Sequence, residues 1–238
     1  MIKFLKFLRL FNSIKYIYRL FKRIKNKPKW YNLRTIVPVS KVFGLDMGTP
    51  IDRIYIEDFL NQNSNDIKGV VCEIAEKTYS KKFGNKVTKF EVFHYNENKN
   101  ATIVGDLTQT STLPKNKLDC FIVTQTLNFI YDFQSAIIGI HKTLKSEGVA
   151  LVTVSGISQI SRYDMDRWGD YWRFTDLSIK NAFAEVFGEK NVEVKTYGNL
   201  LTVTSFLHGI PAEELTSDEL FSIDKDYQLT ITIKAVKK

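Results

Sequence analysis

The 238-residue chain has few glycines, cysteines and histidines, and each shortage excludes a class of site. No two of its 12 glycines lie fewer than four residues apart, so the chain contains no Gly-x-Gly turn. Cys72 and Cys120 both lie inside apolar runs, where a thiol usually packs as a small hydrophobic side chain. The three histidines are scattered singly. We therefore expect no metal site and a reducing compartment.

Acidic residues are missing from the first 45 positions, which hold 12 lysines and arginines. The rest of the chain holds 22 basic and 26 acidic side chains, so the net charge of +8 is 12 minus 4. No apolar run in residues 2–25 exceeds three residues, which predicts neither a membrane span nor a signal-peptide core. We expect a cytoplasmic protein, and the acidic body argues against a specific nucleic-acid partner.

Residues 1–27 have the periodicity of a basic amphipathic helix, followed by a linker over residues 28–48. At 100° per residue, one face carries Leu10, Ile14, Ile17, Phe21 and Ile24, and the opposite face carries Arg9, Asn12, Lys15, Arg19, Lys22 and Arg23. Such a helix suits an anionic membrane surface through residues 2–25. Docking on a protein surface is the second alternative and nucleic acid the third.

From Thr49 the pattern predicts a domain over residues 49–238, with a preceding helix in 49–66 and an α/β core in 67–238. Thr49 is expected to cap that helix, with Pro50 at its first position, Asp52 at its third and an end near Leu60. The β-rich runs cover residues 69–74, 86–93, 101–107, 118–127, 148–155, 191–198 and 227–237.

Helical runs between these strands predict a Rossmann-like, doubly wound α/β fold. Its sheet is expected to be mostly parallel, with an antiparallel C-terminal edge strand. In such folds ligands bind at the carboxyl ends of the strands.

A succession of motifs runs through residues 67–237. Glu73 ends the first strand, Glu91 lies near the end of the second, and the GDL segment with Asp106 follows the third. The segment LDCFIVTQTLNFIYD comes next, and the helix predicted after it ends in LKSEG. This succession resembles a class I S-adenosylmethionine-dependent methyltransferase. GTPIDRIYIEDFL and SRYDMDRWGDYWRFT are similar to segments of bacterial methyltransferases associated with sugar and cell-surface polysaccharide assembly.

The resemblance implies S-adenosylmethionine as cofactor, bound at the strand ends. Glu91 lies 18 residues beyond Glu73 and would hold the ribose hydroxyls. Asp106 would accept a hydrogen bond from the adenine amino group. Gln125 and Thr126, just beyond the fourth strand, would line the cleft between cofactor and acceptor.

The turn after Glu73 departs from the family, whose members usually have Gly-x-Gly at that place. Here the chain reads Ile74-Ala75-Glu76-Lys77. Ala75 is small enough for close approach of the backbone to the cofactor, but a positive φ would strain it. Two hypotheses remain open at this point: an active methyltransferase, and an inactive relative that serves as a binding module.

Residues 161–175 form the predicted acceptor site, because charged and aromatic side chains crowd into this loop after the fifth strand. Aromatic faces can stack on the sugar rings of a saccharide or lipid-linked saccharide, and paired charges can orient its hydroxyls. The alternative is a structural loop anchored by tryptophan. The substrate-binding candidates are Arg162, Tyr163, Arg167, Trp168, Asp170, Tyr171, Trp172 and Arg173. Asp164, Asp166 and His208, in that order, are the candidates for a general base.

Overall fold

The computed structural model describes residues 34–238 together with residues 14, 17, 18 and 21. The chain divides into two compact units, Met1–Val37 and Pro38–Lys238. In the first unit the four separate described residues are helical and exposed. The rest of the predicted helix over residues 1–27 lies outside the described residues. Among those that are described, no helix has the length and apolar character needed to cross a membrane.

The second unit is built on one sheet of seven strands in the order β3-β2-β1-β4-β5-β7-β6. The strands are β1 (Gly69–Ile74), β2 (Val87–His94), β3 (Ile103–Val104), β4 (Leu118–Thr124), β5 (Leu144–Ser155), β6 (Val192–Tyr197) and β7 (Thr230–Val236). The first five strands pair in parallel, and β7 is antiparallel to both of its neighbours. The prediction of a mostly parallel Rossmann-like sheet is confirmed. The C-terminal strand is antiparallel as predicted, but it lies one place in from the edge, which β6 occupies.

Helices cover both faces of this sheet. They are α1 (Ile51–Gln62), α2 (Thr78–Phe83), α3 (Phe133–Thr143), α4 (Arg162–Met165), α5 (Asp176–Phe187), α6 (Leu200–His208) and α7 (Ser217–Phe221). On one face Ile137 of α3 and Phe183 of α5 pack in the same core as Phe121. On the other face Phe59 and Leu60 of α1 pack in a second core. Each fully buried side chain of this size contributes roughly 1.5–3 kcal/mol relative to an exposed one.

The two cysteines lie in different cores, Cys72 on the face of α3 and α5 and Cys120 on the face of α1. Both are free and fully buried, so both pack as hydrophobic side chains, as the sequence predicts. Burial raises the pKa of both thiols, which keeps them protonated and unreactive.

The start of α1 differs from the prediction. Pro50 occupies the N-cap position and Asp52 the second helical position, so Thr49 does not cap the helix. The Thr49 hydroxyl instead donates to Glu213 Oε1 at 2.7 Å, and its amide donates to Glu213 Oε2 at 2.9 Å. The capping prediction was wrong because a distant carboxylate takes the hydroxyl. The Asp52 carboxylate accepts instead from the backbone amides of Arg53 and of Asp52 itself in the first turn.

Residues 38–48, which the sequence assigns to a linker, belong to the second unit and pack on α6 within it. The amides of Val39 and Ser40 donate to the carbonyl oxygen of His208, at 2.8 and 3.1 Å. The rings of Phe43 and Phe206 lie 5.3 Å apart, centroid to centroid. This segment is therefore fixed against α6, and it forms a wall of the site described next.

Candidate active site

A cavity of about 300 Å³ opens over the carboxyl ends of β1, β4 and β5. The chain leaves β1 toward β2 on one side and leaves β4 toward β5 on the other, so the cavity lies where the strand order reverses. Ligands bind at this point in doubly wound folds. Its polar lining consists of Asp52, Arg53, Glu76, Tyr79, Thr124, Gln125, Asn128, Ser155, Ser158, Gln159, Ser161, Asp164, Asp170 and Arg173.

Two non-glycine residues at neighbouring strand tips have a left-handed backbone. Ala75 follows β1 with φ of 65°, and Gln125 follows β4 with φ of 46°. Each costs roughly 1–2 kcal/mol in this conformation. The Ala75 amide donates to Phe93 and its carbonyl oxygen lies 2.9 Å from His94 Nε2, which holds the turn in place. The turn after β1 therefore has the conformation that favours glycine, but it is made by an alanine.

Glu73 is buried under the turn after β1 and is not part of the cavity lining formed by residues 38–238. It is 2% exposed, and its two oxygens accept from the amides of Tyr79 at 3.1 Å and Ser80 at 2.7 Å. Burial raises the pKa of Glu73, and the two amide hydrogen bonds oppose that rise. The predicted cofactor residue Glu73 thus anchors the start of α2, which carries Tyr79 into the lining.

Glu91 lies in the middle of β2, opposite Cys72 in the register, and β2 continues for three residues to His94. Its side chain is 1% exposed and ion-paired with Lys89 at 2.8 Å and Lys117 at 3.0 Å. Burial would by itself raise the pKa of Glu91, but hydrogen bonds from Lys89, Thr102 and Lys117 lower it to about 2. Lys117 immediately precedes β4, so Glu91 is bound from the amino end of the sheet. The structure does not bring it to the cavity.

Asp106 and Thr126 are engaged locally. Asp106 Oδ1 accepts from the amide and the hydroxyl of Thr108, both at 2.8 Å. The Thr126 hydroxyl donates to the Thr124 carbonyl at 2.9 Å. Neither residue is part of the cavity lining within residues 38–238, and Ala75 is not part of it either.

Gln125 is the predicted cofactor residue that the structure does place in the cavity lining. Its Oε1 accepts from the Ser155 hydroxyl at 2.7 Å. Its Nε2 is buried and has no hydrogen-bond partner in the described part of the chain. A buried donor without a partner costs about 1–3 kcal/mol, so a ligand that accepts from it is stabilised.

The predicted acceptor loop divides into an inner and an outer part. Asp164, Asp170 and Arg173 line the cavity. Arg173 forms a two-pronged ion pair with Asp170, at 2.6 and 2.8 Å, and also donates to the carbonyls of Ser158 and Trp172. Arg173 and Asp170 therefore fix the shape of this wall.

The outer part of the loop lies outside the lining formed by residues 38–238, and its side chains are exposed except for the half-buried Trp172, which packs against the core. It contains Arg162, Tyr163, Asp166, Arg167, Trp168, Tyr171 and Trp172. Arg167 lies 3.4 Å above the Tyr163 ring, and Trp172 Nε1 donates to the carbonyls of Ile130 and Tyr131. We call the exposed rings of Tyr131, Trp168 and Tyr171 the aromatic surface; they are 71%, 53% and 49% exposed.

Of the three general-base candidates, only Asp164 lines the cavity. It accepts from the Ser161 hydroxyl at 2.6 Å. Asp166 is exposed and paired with Arg162 at 2.9 Å. His208 ends α6 and contributes its carbonyl oxygen to the segment 38–48. The structure therefore separates these three residues.

Sequence reasoning missed Asp52, Arg53, Glu76 and Tyr79 as site residues. The lining carries four carboxylates, Asp52, Glu76, Asp164 and Asp170, against two guanidinium groups, Arg53 and Arg173. With all six ionised, the formal charge of the lining is −4 plus 2, or −2. The cavity is therefore suited to a ligand that carries positive charge. The motif GTPIDR contains Asp52 and Arg53 and could have indicated them as site residues. It also fits the start of a helix, which is how we interpret it from the sequence alone.

Comparisons with known proteins identify the fold. No protein-family model matches the chain, and no curated protein matches it. The structure is similar to an S-adenosylmethionine-dependent methyltransferase from Archaeoglobus fulgidus, at 13% identity and a TM-score of 0.50, covering 78% of this chain and 94% of that one. One from Mesorhizobium loti has 13% identity and a TM-score of 0.50, covering 81% and 100%. These neighbours confirm the expected class I methyltransferase fold.

Proposed function

We propose that this chain transfers a methyl group from S-adenosylmethionine to a hydroxyl of a saccharide or lipid-linked saccharide. The observation that carries the proposal is the cavity itself, which lies at the reversal of strand order and has a lining of formal charge −2. S-adenosylmethionine carries a sulfonium and an ammonium group, and both are favoured by such a lining. The fold of the structural neighbours supports the same conclusion.

The residues present fit this cofactor. Gln125 offers a buried, unpartnered donor, and Glu76 offers a carboxylate beside the turn after β1. Together with Tyr79 they would hold the cofactor. When bound, the cofactor supplies an activated methyl group and a good leaving group. The chain's own residues then need to align the acceptor, exclude water and accept a proton.

The aromatic surface supports a saccharide acceptor. Tyr131, Trp168 and Tyr171 are about half exposed or more, around the outer part of the loop whose inner part lines the cavity. Exposed aromatic rings can stack on the apolar faces of sugar rings. Asp164 and Ser161, on the inner part, would then face the hydroxyl that is methylated.

Calorimetric titration of the full chain with S-adenosylmethionine and S-adenosylhomocysteine tests the proposal. We expect both to bind, with dissociation constants in the range of roughly 1 μM to 1 mM that enzymes commonly show for substrates. Glu76→Gln should weaken binding of the sulfonium form about fivefold more than that of S-adenosylhomocysteine, because only the former carries the extra charge. Glu185→Gln on the exposed face of α5 is the control.

The absence of heat at millimolar cofactor would contradict the proposal. It would favour the second candidate, a methyltransferase-like binding module without catalysis. That candidate has an observation of its own, because Glu91 and Asp106 are already engaged within the chain.

We further propose that residues 2–25 hold the protein on an anionic membrane surface at the cytoplasmic side. The support is the absence of acid from the first 45 residues and the exposure of Ile14, Ile17 and Phe21, each more than half. In a sedimentation assay at low salt, the chain should pellet together with phosphatidylglycerol vesicles. The double substitution Lys22→Glu and Arg23→Glu should reduce the fraction that pellets. Equal binding to phosphatidylcholine vesicles would contradict the proposal.

A further inference from the structure

We infer that Asp52 is the general base of this cavity, the group that takes the proton from the acceptor hydroxyl. The inference rests on the proposed function and assigns the proton-accepting step to a residue of α1, outside the predicted acceptor loop. It is drawn from the position of Asp52, from the partners of the other lining carboxylates and from the charges around it.

The first support is position. Asp52 lines the cavity from the first turn of α1. The residues beside it hold the helix firmly, since Ile51 and Tyr55 are fully buried and the Tyr55 hydroxyl donates to the Leu220 carbonyl at 2.7 Å. A base on a rigid helix keeps one position relative to the acceptor, which proton transfer requires.

The second support is the engagement of the other three carboxylates in the lining. Asp170 is held by Arg173, Asp164 accepts from the Ser161 hydroxyl, and Glu76 Oε2 accepts from the Thr78 hydroxyl at 2.9 Å. Within the described part of the chain, Asp52 forms no ion pair and accepts no hydrogen bond from another side chain; it accepts from the backbone amides of Arg53 and of Asp52 itself. Because a carboxylate has about four acceptor sites, its oxygens can still accept from a ligand hydroxyl.

The third support is the charge around Asp52. Arg53 acts on Asp52 directly, and Glu57 and Glu73 act together with Asp52 on the neighbouring Tyr79. The other ionisable groups of the cavity are Glu76, Asp164, Asp170 and Arg173. Burial raises the pKa of Asp52 to about 6, and Arg53 partly opposes the rise. At neutral pH such a carboxyl group is mostly ionised, and it holds a proton more strongly than an ordinary aspartate.

A lone pair of the acceptor oxygen forms the bond to the methyl carbon, and the carbon–sulfur bond breaks with its electron pair left on sulfur. The oxygen–hydrogen bond breaks with its pair left on oxygen, and the proton passes to Asp52. Solvent takes that proton when the product leaves, so the enzyme returns to its starting state.

The test uses the full chain with Asp52→Asn, and with Asp218→Asn as the matched control. Asp218 occupies the second position of α7, as Asp52 does in α1, but it is exposed. In ¹³C spectra of the wild-type carboxyl groups, the resonance missing from D52N should titrate with a midpoint of about 6. This measurement needs neither cofactor nor acceptor. A midpoint in the ordinary range below 4.5 would overturn the inference.

Binding and turnover supply the second readout. D52N should bind S-adenosylhomocysteine within twofold of wild type, which also shows that the variant is folded. With a panel of nucleotide sugars as acceptor probes and tritiated methyl donor, transfer should fall about 10²–10⁴-fold in D52N and stay unchanged in D218N. Weaker binding by tenfold with unchanged turnover would overturn the inference and make Asp52 a binding residue.

The two proposals fail in different ways. Wild-type protein that binds neither cofactor form contradicts the proposed function. Wild-type protein that binds cofactor while Asp52 titrates below 4.5 contradicts only the assignment of the base.

Discussion

Two acids, Glu91 and Asp52, show what makes a carboxylate part of a site. Glu91 on β2 is 1% exposed, Lys89 and Lys117 lie within 3.0 Å of it, and its pKa falls to about 2. Asp52 of α1 is partly exposed at the cavity, where burial raises its pKa to about 6 although Arg53 opposes the rise. The partners therefore decide the outcome. An acid with two cationic partners stabilises the fold, and one held by backbone amides at a cavity is available for chemistry.

The largest expected effect is on stability, at Glu91. The folded-state pKa is below the value of 4.5 that the group has when unperturbed, so its charge stabilises the fold above that pH. Glu91→Gln should lower the free energy of unfolding by about 3 kcal/mol at pH 7. The deficit should vanish as the pH falls from 4.5 through 2. Urea denaturation across this range measures it, and a constant deficit would contradict the ion-pair explanation.

Asp52 should respond in the opposite direction. Its folded-state pKa is above the unperturbed 3.8, so its contribution to stability is complete below pH 3.8 and is lost as the pH rises through about 6. After allowance for partial exposure, Asp52→Asn should raise the free energy of unfolding by about 2 kcal/mol at pH 7. Thermal unfolding at pH 4 and pH 7 measures the change. A variant less stable than wild type at pH 7 would end the contrast with Glu91.

The backbone of Ala75 is strained where the chain leaves β1. Its φ of 65° suits glycine, so Ala75→Gly should stabilise the chain by about 1 kcal/mol despite the entropy that glycine loses on folding. Ala184→Gly inside α5 is the control and should destabilise by about 1 kcal/mol. Both are measured by urea denaturation. Destabilisation by both substitutions would show that the turn is not strained.

The smallest effect is expected at Asp166, on the outer part of the acceptor loop. Its pair with Arg162 joins side chains that are 61% and 71% exposed, so solvent and salt screen it. Asp166→Asn should change the free energy of unfolding by less than about 0.5 kcal/mol. A loss above 1 kcal/mol in the same denaturation assay would mean that the outer loop stabilises the fold more than its exposure implies.

Local patterns in the sequence predict most of this fold and little of its site. The bounds of β1 match residues 69–74 because an unbroken apolar run forms a buried strand in almost any context. Thr175 caps α5, and this cap is readable from the sequence because its partner Ser178 lies within the same turn. Glu91 does not lie at the strand tip, and its partner Lys117 is 26 positions away, just before β4, where no local pattern reveals the pairing. Asp52 was missed because Thr-Pro-x-Asp is a good local cap pattern.

The hydrogen bonds from Thr49 to Glu213 join residues 164 positions apart. Because Glu213 accepts from the Thr49 hydroxyl, that hydroxyl is not available to cap α1. A distant carboxylate and the local helix end therefore compete for the Thr49 side chain. Without the Glu213 carboxylate, the Thr49 hydroxyl would be free for a local partner at the first turn of α1. The position of Asp52 therefore depends in part on one of the last 26 residues of the chain, which lies outside the cavity lining formed by residues 38–238.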